Sequence, residues 1–496
     1  MALPLSESTL SSLSAFLAKE MGLLFPRERW GELERGFAAA ARQMGCRDSR
    51  ECIERLTKAP LTRPQIETLA GVLTVGETYF FRDPHTMQMA ESEILPALIR
   101  SRRGKDRRLR LWSAGCSTGE EPYSIAIMLH RLLPDLDQWN ITLLATDINT
   151  ASLNRAIDGV YGRWSFRGTP ASLERSYFTE EPDGRLKVVE KVRRLVSFEY
   201  LNLAADSYPS LATNTNAMDL IFCRNVLMYF SAETVRSVLG KLYLSLVDNG
   251  WLVVSPAEHL PRRYASFQAV DLAGSICYRK RGEEAEAPGA GPEQSAAQVT
   301  PAAAPGALEI RELPPQVAGG GAEAAARGYR MAVALYRQGH YQQAAERLDG
   351  LRVRRELPAE GVALLIRAHA NRGELSAALE VCEAALLGDK LDPALHFLRA
   401  EILQEQGMRA EAQHALERAL YLDHRLVLAH FALGNLALRE GSRPRAARHF
   451  QNAFDLLRGA AADSILPGSE GMTAGRLREI IASMNGELRP AQGGRG

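Results

Sequence analysis

Four glycines recur at a spacing of 34 residues in the C-terminal third of the chain, at Gly339, Gly373, Gly407 and Gly441. Each of them ends a helix-like pattern of apolar residues. Alanines follow in a fixed register, at Ala344, Ala378, Ala412 and Ala446 and again at Ala385, Ala419 and Ala453. Small residues let two helices pack closely, and glycine permits a tight turn between them. The pattern therefore predicts stacked helical hairpins, an α-solenoid, over residues 327–460.

This repeat resembles the tetratricopeptide repeat, whose period is also 34 residues. A stacked array of this kind has a concave groove, so the resemblance implies a protein partner, either a response regulator or another signalling protein. The alternative is that the repeats only stiffen or dimerise the chain. Residues 461–496 are expected to form a C-terminal tail.

The bulk composition excludes several classes of partner. The chain has 496 residues, too many for one hydrophobic core, and 60 Lys and Arg against 59 Asp and Glu give a net charge of +1. So balanced a charge gives no overall field that argues for a nucleic acid or an anionic membrane as partner, and the local basic cluster at residues 100–110 is either a contact patch or a solvated helix end and loop. No apolar stretch is long enough to insert into a membrane, and we expect a cytoplasmic protein. The six cysteines form no C-x-x-C pair, so neither disulfides nor a metal site are expected.

Composition also divides the chain. Residues 281–326 are rich in Ala, Gly, Pro and Glu without an aromatic residue, which predicts a flexible linker. Residues 1–85 place apolar positions at helical spacing, which predicts a small all-α domain. Residues 86–280 remain as a further domain between these two.

Short apolar runs alternate with helical patterns in this central domain, at residues 109–113, 141–145, 196–200, 219–222 and 251–254. Alternation of this kind predicts an α/β fold with a doubly wound, Rossmann-like parallel sheet. A ligand should bind at the carboxyl ends of the strands, where a glycine loop at residues 115–119 and Asp147 are expected.

The glycine loop does not have the features of a phosphate site. It lacks the G-x-G-x-x-G spacing, and Glu120 stands where a P-loop would have lysine. Glu120 and Glu121 would repel phosphate but suit a cation, and an acid such as Asp147 suits a ribose diol. S-adenosylmethionine combines an adenosine with a sulfonium and an ammonium group, and we therefore expect it as the cofactor.

Four segments together resemble the chemotaxis receptor glutamate methyltransferases, the CheR type, over about residues 10–280. They are TYFFRD at residues 78–83, WSAGCSTGEEPYS at 112–124, ATDI at 145–148 and CRNVLMYF at 223–230. All four occur in the order that the family has. The resemblance implies methyl transfer from S-adenosylmethionine to glutamate side chains of methyl-accepting chemotaxis-type receptors, leaving S-adenosylhomocysteine.

The resemblance also implies site residues. Expected cofactor contacts are Thr78, Arg82, Gly115, either Glu120 or Glu121, Asp147, Asn202, Leu203, Arg224 and Asn225. Tyr229 matches a tyrosine near the transferring methyl. Arg103, with Arg100 and Arg102 as alternatives, lies where the family has an arginine near its active site. Capping or packing roles are the alternative for Thr78, Asp147 and Tyr229.

The expected chemistry needs no general base, because a glutamate carboxylate with a pKa of about 4.3 is already an anion at neutral pH. A small β-subdomain is expected near residues 160–200, as in family members that hold a receptor's pentapeptide tail there. Its loop at residues 179–184 is short, which indicates a pentapeptide-independent enzyme. Two alternatives remain, a cofactor-binding scaffold without activity and a methyltransferase for a small molecule.

Overall fold

The computed structural model describes residues 5–74, 76–104, 106–206, 208–211, 213–258, 267–272, 274–281, 320–469 and 471–488. The chain forms two compact units. The first unit comprises Met1–Asp206 and Met218–Arg281, and the second comprises Ser207–Ala217 and Gly282–Gly496. Within the described ranges, no helix has both the length and the apolar character needed to cross a membrane.

The first unit begins with four helices, α1 (Glu7–Met21), α2 (Trp30–Gln43), α3 (Ser49–Leu56) and α4 (Arg63–Leu73). The Ser6 hydroxyl caps α1 by accepting a hydrogen bond from the Thr9 N–H. Their apolar faces form a separate core around Leu17, Leu33 and Phe37. The helical region expected from the spacing of apolar residues is therefore present.

A seven-stranded sheet follows, in the order β6-β2-β1-β7-β8-β10-β9. Its strands are β1 (Arg108–Ala114), β2 (Asn140–Asp147), β6 (Val196–Tyr200), β7 (Met218–Phe222), β8 (Leu246–Val253), β9 (Phe267–Leu272) and β10 (Ser275–Lys280). The first five pair in parallel, which confirms the doubly wound sheet. An antiparallel hairpin, β9 and β10, extends one edge.

The strand order reverses between β1 and β7. From β1 the chain builds outward through β2 to β6 and then returns to place β7 on the other side of β1. Ligands of open α/β sheets bind at such a switch point, outside the carboxyl ends of the strands. The helices of this part are α5 (Pro84–Met89), α6 (Leu95–Arg103), α7 (Glu120–Leu132), α8 (Thr150–Asp158), α9 (Ala171–Tyr177), α10 (Glu190–Arg193) and α11 (Ala232–Ser245).

A second, small sheet consists of β3 (Val160–Tyr161), β5 (Leu186–Val188) and β4 (Phe178–Glu180), in that order. Phe80 is buried and packs its ring on Phe166, Phe178 and Tyr161, with centroid distances of 4.9, 4.8 and 5.0 Å. Aromatic pairs at these distances add to the stability gained from burial. The cluster therefore anchors the segment around Phe80 to the small sheet.

The second unit contains a helical array. Its helices are α12 (Gly320–Arg337), α13 (Tyr341–Val353), α14 (Ala359–Asn371), α15 (Leu375–Gly388), α16 (Pro393–Glu405), α17 (Arg409–Leu422), α18 (Val427–Arg439), α19 (Arg443–Leu457) and α20 (Ala474–Leu488). The repeat glycines Gly339, Gly373, Gly407 and Gly441 turn the chain inside four successive hairpins with φ of 81°, 81°, 80° and 75°. L-residues rarely adopt such φ values, so the glycines are needed there and the predicted repeats are present.

The ends of the array differ from the sequence-based expectation. Helix α12 begins at Gly320, before the expected end of the linker, while residues 282–319 of that linker lie outside the described residues. The expected tail instead includes α20, whose Leu477 and Ile481 are buried in the same core as α18 and α19. This helix covers the apolar end of the last hairpin, which repeat arrays require.

Candidate active site

An open cavity, whose empty volume of about 1260 Å³ includes the solvent space at its mouth, lies at the carboxyl ends of the parallel strands, where the sheet meets the N-terminal helices. It is lined by ten of the predicted site residues, namely Thr78, Arg82, Gly115, Glu121, Asp147, Asn202, Leu203, Arg224, Asn225 and Tyr229. These residues come from five separate stretches of the chain. The sheet topology brings them together, because the carboxyl ends of neighbouring parallel strands share one edge.

The N-terminal helices close one side of this cavity. Leu24 N donates a hydrogen bond of 2.8 Å to Tyr229 O, and Leu23 forms an isolated β-bridge with Phe230. Met21, Leu23 and Phe25 accordingly line the cavity. The helical region is thus part of the site, and Tyr229 both lines the cavity and packs against the helical core.

Asp147 ends β2 and is held by the backbone. Its carboxylate accepts hydrogen bonds from Ser117 N at 2.7 Å and Asn149 N at 2.8 Å. Burial raises the pKa of the Asp147 carboxyl, and backbone hydrogen bonds from Asn149, Ser117 and Ile148 offset part of the rise. The carboxylate is therefore fixed in orientation at the point where a ribose diol would be expected.

The glycine loop after β1 lies with its backbone close to neighbouring side chains. Gly115 and Gly119 have φ of 80° and 92°. A Cβ atom added at Gly115 would lie 2.3 Å from Val226 Cγ2, and one at Gly119 would lie 2.7 Å from Ala156 Cβ. Both positions therefore exclude larger residues on grounds of both space and backbone conformation.

A buried ion pair stands behind the loop. Glu121 Oε2 accepts from Arg224 Nη1 at 3.0 Å, and Glu121 Oε1 accepts from Ser113 Oγ at 2.7 Å. Arg224 Nη2 donates to Arg82 O at 2.6 Å and lies 3.6 Å from Asp83 Oδ2. The pair thereby ties the end of β7 to α7 and to the segment that carries Arg82.

The two glutamates of this loop have different positions. Only Glu121 lines the cavity, whereas Glu120 accepts from Thr118 Oγ1 at 2.6 Å and from Ser165 Oγ at 2.9 Å. Burial raises the pKa of the Glu120 carboxyl. Of the two alternatives for a cofactor contact, the geometry favours Glu121, and Glu120 instead anchors the segment at Ser165.

Arg103 is not at the site, which corrects the expectation of a catalytic role for it. Arg103 ends α6, and its guanidinium donates to Asp135 Oδ2 at 3.1 Å. Arg102 donates to Asp219 Oδ1 at 2.6 Å, and Arg100 is exposed. Helix α6 leads into the first residue of β1, so all three arginines lie at the amino ends of the strands. The cavity is at the opposite edge of the sheet.

Arg29 lines the cavity but was missed by the sequence analysis. Its guanidinium lies over the rings of Phe25 and Tyr229, 5.0 and 5.2 Å from their centroids, and pairs with Glu32 at 2.8 Å. A guanidinium over an aromatic face is held by cation–π attraction. The local sequence carries no signal of this role, because Arg29 belongs to an ordinary charged helix start.

Glu258 was also missed, although it organises one wall. Its Oε2 accepts from Asn225 N at 2.6 Å and Ser255 N at 3.2 Å, and its Oε1 accepts from Val226 N at 2.7 Å and Met228 N at 3.1 Å. The carboxylate thus holds the loop that carries Asn225, which has φ of 58°. The sequence signal that could have pointed to Glu258 is that it is an acidic residue shortly after the end of β8.

The cavity offers groups that fit an adenosyl cation. Among the described residues, Asn202 Nδ2 is buried without a hydrogen-bond partner. A buried donor of this kind is costly unless a ligand acceptor, such as a ring nitrogen, pairs with it. Three carboxylates and three guanidiniums of the described residues line the same cavity, so it has partners for both the cationic and the anionic groups of such a ligand: Glu77, Glu121 and Asp147 with Arg29, Arg82 and Arg224.

Comparison with known proteins identifies the family. Residues 76–275 match the family model described as CheR methyltransferase, SAM binding domain. Chemotaxis protein methyltransferase 1 of Pseudomonas aeruginosa is 33% identical over 272 residues, which cover 54% of this chain and 95% of that protein. Chemotaxis protein methyltransferase 2 of Vibrio cholerae is 33% identical over 216 residues, which cover 44% of this chain and 73% of that protein. The chain belongs to the chemotaxis protein methyltransferase family.

Another relative extends into the repeats. The probable biofilm formation methyltransferase WspC of Pseudomonas aeruginosa is 30% identical over 436 residues, which cover 85% of this chain and 92% of that protein. The chain is thus an S-adenosylmethionine-dependent methyltransferase of the chemotaxis family with C-terminal tetratricopeptide-type repeats.

The residues of the cavity fit this cofactor. S-adenosylmethionine supplies an electrophilic methyl group on a sulfonium. Asp147 would present a fixed carboxylate to a ribose, Asn202 would offer its amide N–H, and the Glu121 carboxylate, which is paired with Arg224, also lines the cavity. The apolar side chains of the N-terminal helices exclude water from one side of the cavity, which strengthens these electrostatic contacts.

Proposed function

We propose that this methyltransferase esterifies glutamate side chains of methyl-accepting chemotaxis-type receptors. One observation carries the proposal: the described residues that line the cavity include no histidine and no lysine. The carboxylates there are engaged, Glu121 with Arg224, Asp147 with backbone N–H groups and Glu77 with Arg167. Such a site offers no free general base, so it suits an acceptor that is already an anion at neutral pH.

The proposed roles follow from position. Arg82, whose Nη1 donates to Glu77 O at 2.6 Å, would bind the methionyl carboxylate, with Thr78 beside it. Tyr229 would border the methyl-transfer path. What these side chains provide is alignment of the acceptor carboxylate with the methyl group, and orientation alone supplies effective molarities on the order of 10⁵ M or more.

We propose also that the enzyme does not use a pentapeptide tether. The turn between β4 and β5 is tight, with Glu181 N donating to Arg185 O at 2.8 Å and Gly184 N donating to Glu181 O at 2.9 Å. This turn supports the proposal because it leaves no extended loop beside the small sheet to hold a peptide strand. A receptor-tail pentapeptide binding in the micromolar range in calorimetry would refute it.

Transfer of radiolabelled methyl groups to receptor-containing membranes tests the main proposal. We expect label that mild alkali releases as methanol, lost in Arg82→Ala and retained in the matched control Arg103→Ala. Cofactor binding without transfer to any acceptor would indicate a scaffold instead. Transfer to small carboxylic acids but not to receptors would indicate a small-molecule enzyme.

The likeness to a biofilm formation methyltransferase bears on the pathway, because the match spans 85% of this chain and includes repeat helices. We propose that the receptors served control surface attachment, and that the repeats bind a signalling protein such as a response regulator. Deleting the gene should alter biofilm mass while swimming chemotaxis is kept. The opposite pattern would refute the assignment.

A further inference from the structure

The first helices of the hairpins form one layer of the repeat unit. Helix α12 contacts α14, and α14 contacts α16. Repeat arrays of this type use such a layer as a concave binding surface. Asn371 on α14 and Glu405 on α16 occupy the same register, 34 residues apart, and both are buried, as is Glu401. Asn371 donates to Tyr336 within the array at 2.9 Å, but charged side chains on an open concave surface would be exposed, so another part of the second unit covers Glu401 and Glu405.

The covering part is a segment that belongs to the same unit, residues 208–211 and 213–217, called here the groove segment. Asn216 is fully buried, and its Nδ2 donates a hydrogen bond of 2.7 Å to Glu405 Oε1. Hydrogen bonds to a carboxylate are stronger than those between neutral groups. This contact joins positions 189 residues apart in the chain.

An apolar contact accompanies the polar one. Leu211 packs against the repeat core that contains Leu365, Leu398 and Ile402. The segment also closes on itself, with Ser210 N donating to Thr215 Oγ1 at 3.0 Å and Thr215 N donating to Ser210 O at 3.2 Å. The compact loop therefore contacts the repeats through one apolar side chain, Leu211, and one buried polar side chain, Asn216.

A second stretch of the chain reaches the same layer. Arg367 on α14 donates from Nη2 to Gly468 O at 3.0 Å, across 101 residues of sequence. The inner layer is therefore contacted by two stretches of its own chain, and a protein that binds there has to compete with them.

We propose that the inner face of the repeats is a binding groove whose resident ligand is the groove segment, and that an outside partner binds only by displacing it. The competing partner carries a loop of the same chemistry: an asparagine to reach Glu405, hydroxyl side chains that close the loop, and a leucine for the apolar anchor. The groove is thus occupied by its own chain until such a partner is present.

Hydrogen exchange of the groove-segment amides in the full chain tests this arrangement. Glu405→Ala and Asn216→Ala should each speed exchange roughly ten-fold or more, because either change removes a hydrogen bond to a charged group. The double variant should add little to either single variant, since both remove the same contact. The matched control Glu411→Ala, exposed on α17, should leave the rates unchanged. Exchange at unprotected rates in the wild type would overturn the proposal.

A competing peptide provides a second test of the proposal. A labelled peptide with the sequence of residues 206–218 should bind the Leu211→Ala chain, whose own segment has lost its anchor, at least ten-fold more tightly than the wild-type chain. The same peptide with alanine in place of its second asparagine, equivalent to Asn216, should bind weakly to both. Equal affinity for the wild-type and Leu211→Ala chains would show that the segment does not occupy the groove, and would leave the methyltransferase assignment unaffected.

Discussion

Replacing Glu258 by glutamine should open one wall of the cofactor site without removing any residue that faces the cavity. Each carboxylate oxygen accepts one short and one longer backbone hydrogen bond, 2.6 and 3.2 Å at Oε2 and 2.7 and 3.1 Å at Oε1. Glutamine must present an NH₂ group to one of these pairs. Either orientation of the amide loses one short and one longer bond, so two donors always lose their acceptor.

The expected magnitude follows from this count. A hydrogen bond to a charged group contributes about 1.5–3 kcal/mol, so two of them contribute about 3–6 kcal/mol. Relaxation of the loop recovers part of this free energy, and we expect the local stability of the loop to fall by about 3 kcal/mol. Since each 1.4 kcal/mol is a factor of ten, hydrogen exchange at the pair of amides that loses its acceptor, either Val226 and Met228 or Asn225 and Ser255, should accelerate about 100-fold.

Two assays on the same protein check this expectation. Amide exchange measured by mass spectrometry reports the loop directly, and calorimetry with S-adenosylhomocysteine should show weaker binding, because the loop carries Asn225 at the cavity. Glu233→Gln, an exposed change on α11, is the matched control. Exchange within three-fold of wild type at all four of these amides would refute the reasoning that Glu258 holds this loop.

Three further predictions concern the same unit. Asp147→Asn should weaken S-adenosylhomocysteine binding at least about ten-fold in calorimetry, because a charged acceptor is lost; unchanged affinity would exclude the ribose role. Gly115→Ala should lower the melting temperature and abolish cofactor binding, since the added Cβ would lie 2.3 Å from Val226 Cγ2 and alanine is strained at the φ of 80° that Gly115 adopts. A melting curve like that of the wild type would contradict this. Burial lowers the pKa of Lys241 to about 8 in the folded state. Between about pH 8 and the higher pKa of this lysine in the unfolded chain, the unfolded state therefore binds more protons than the folded state. The stability that this group contributes should therefore rise with pH across that window in denaturant titrations, and the rise should be missing in Lys241→Met.

Much of the fold could be read from local patterns. The parallel strands follow from apolar runs alternating with helices, and the repeat hairpins follow from Gly339 and its three equivalents. These signals are strong because each reflects a local requirement, either burial on both faces of a strand or a positive φ at a turn. Asp147 was expected at the site for the same reason, since it directly follows a buried strand.

Other features depended on contacts between distant parts of the chain. Arg103 was expected near the active site, but α6 ends at the amino edge of the sheet, and only the course of the strands shows which edge that is. Arg29 reaches the cavity because Leu24 hydrogen-bonds to Tyr229, across 205 residues of sequence. The helix α20 in the expected tail is stabilised by the hairpin it covers rather than by its own pattern.

The sequence by itself determined the class of fold, the 34-residue repeat and the family of the catalytic domain. Those conclusions rest on residues that are neighbours along the chain or are repeated at a fixed spacing. The tertiary structure decided which of Glu120 and Glu121 lines the cavity, that Glu258 holds its wall, and that the groove segment lies on the repeats. Each of these depends on hydrogen bonds between segments that are far apart in sequence. Only the folded chain brings the donors and acceptors of these bonds to within about 3 Å of each other.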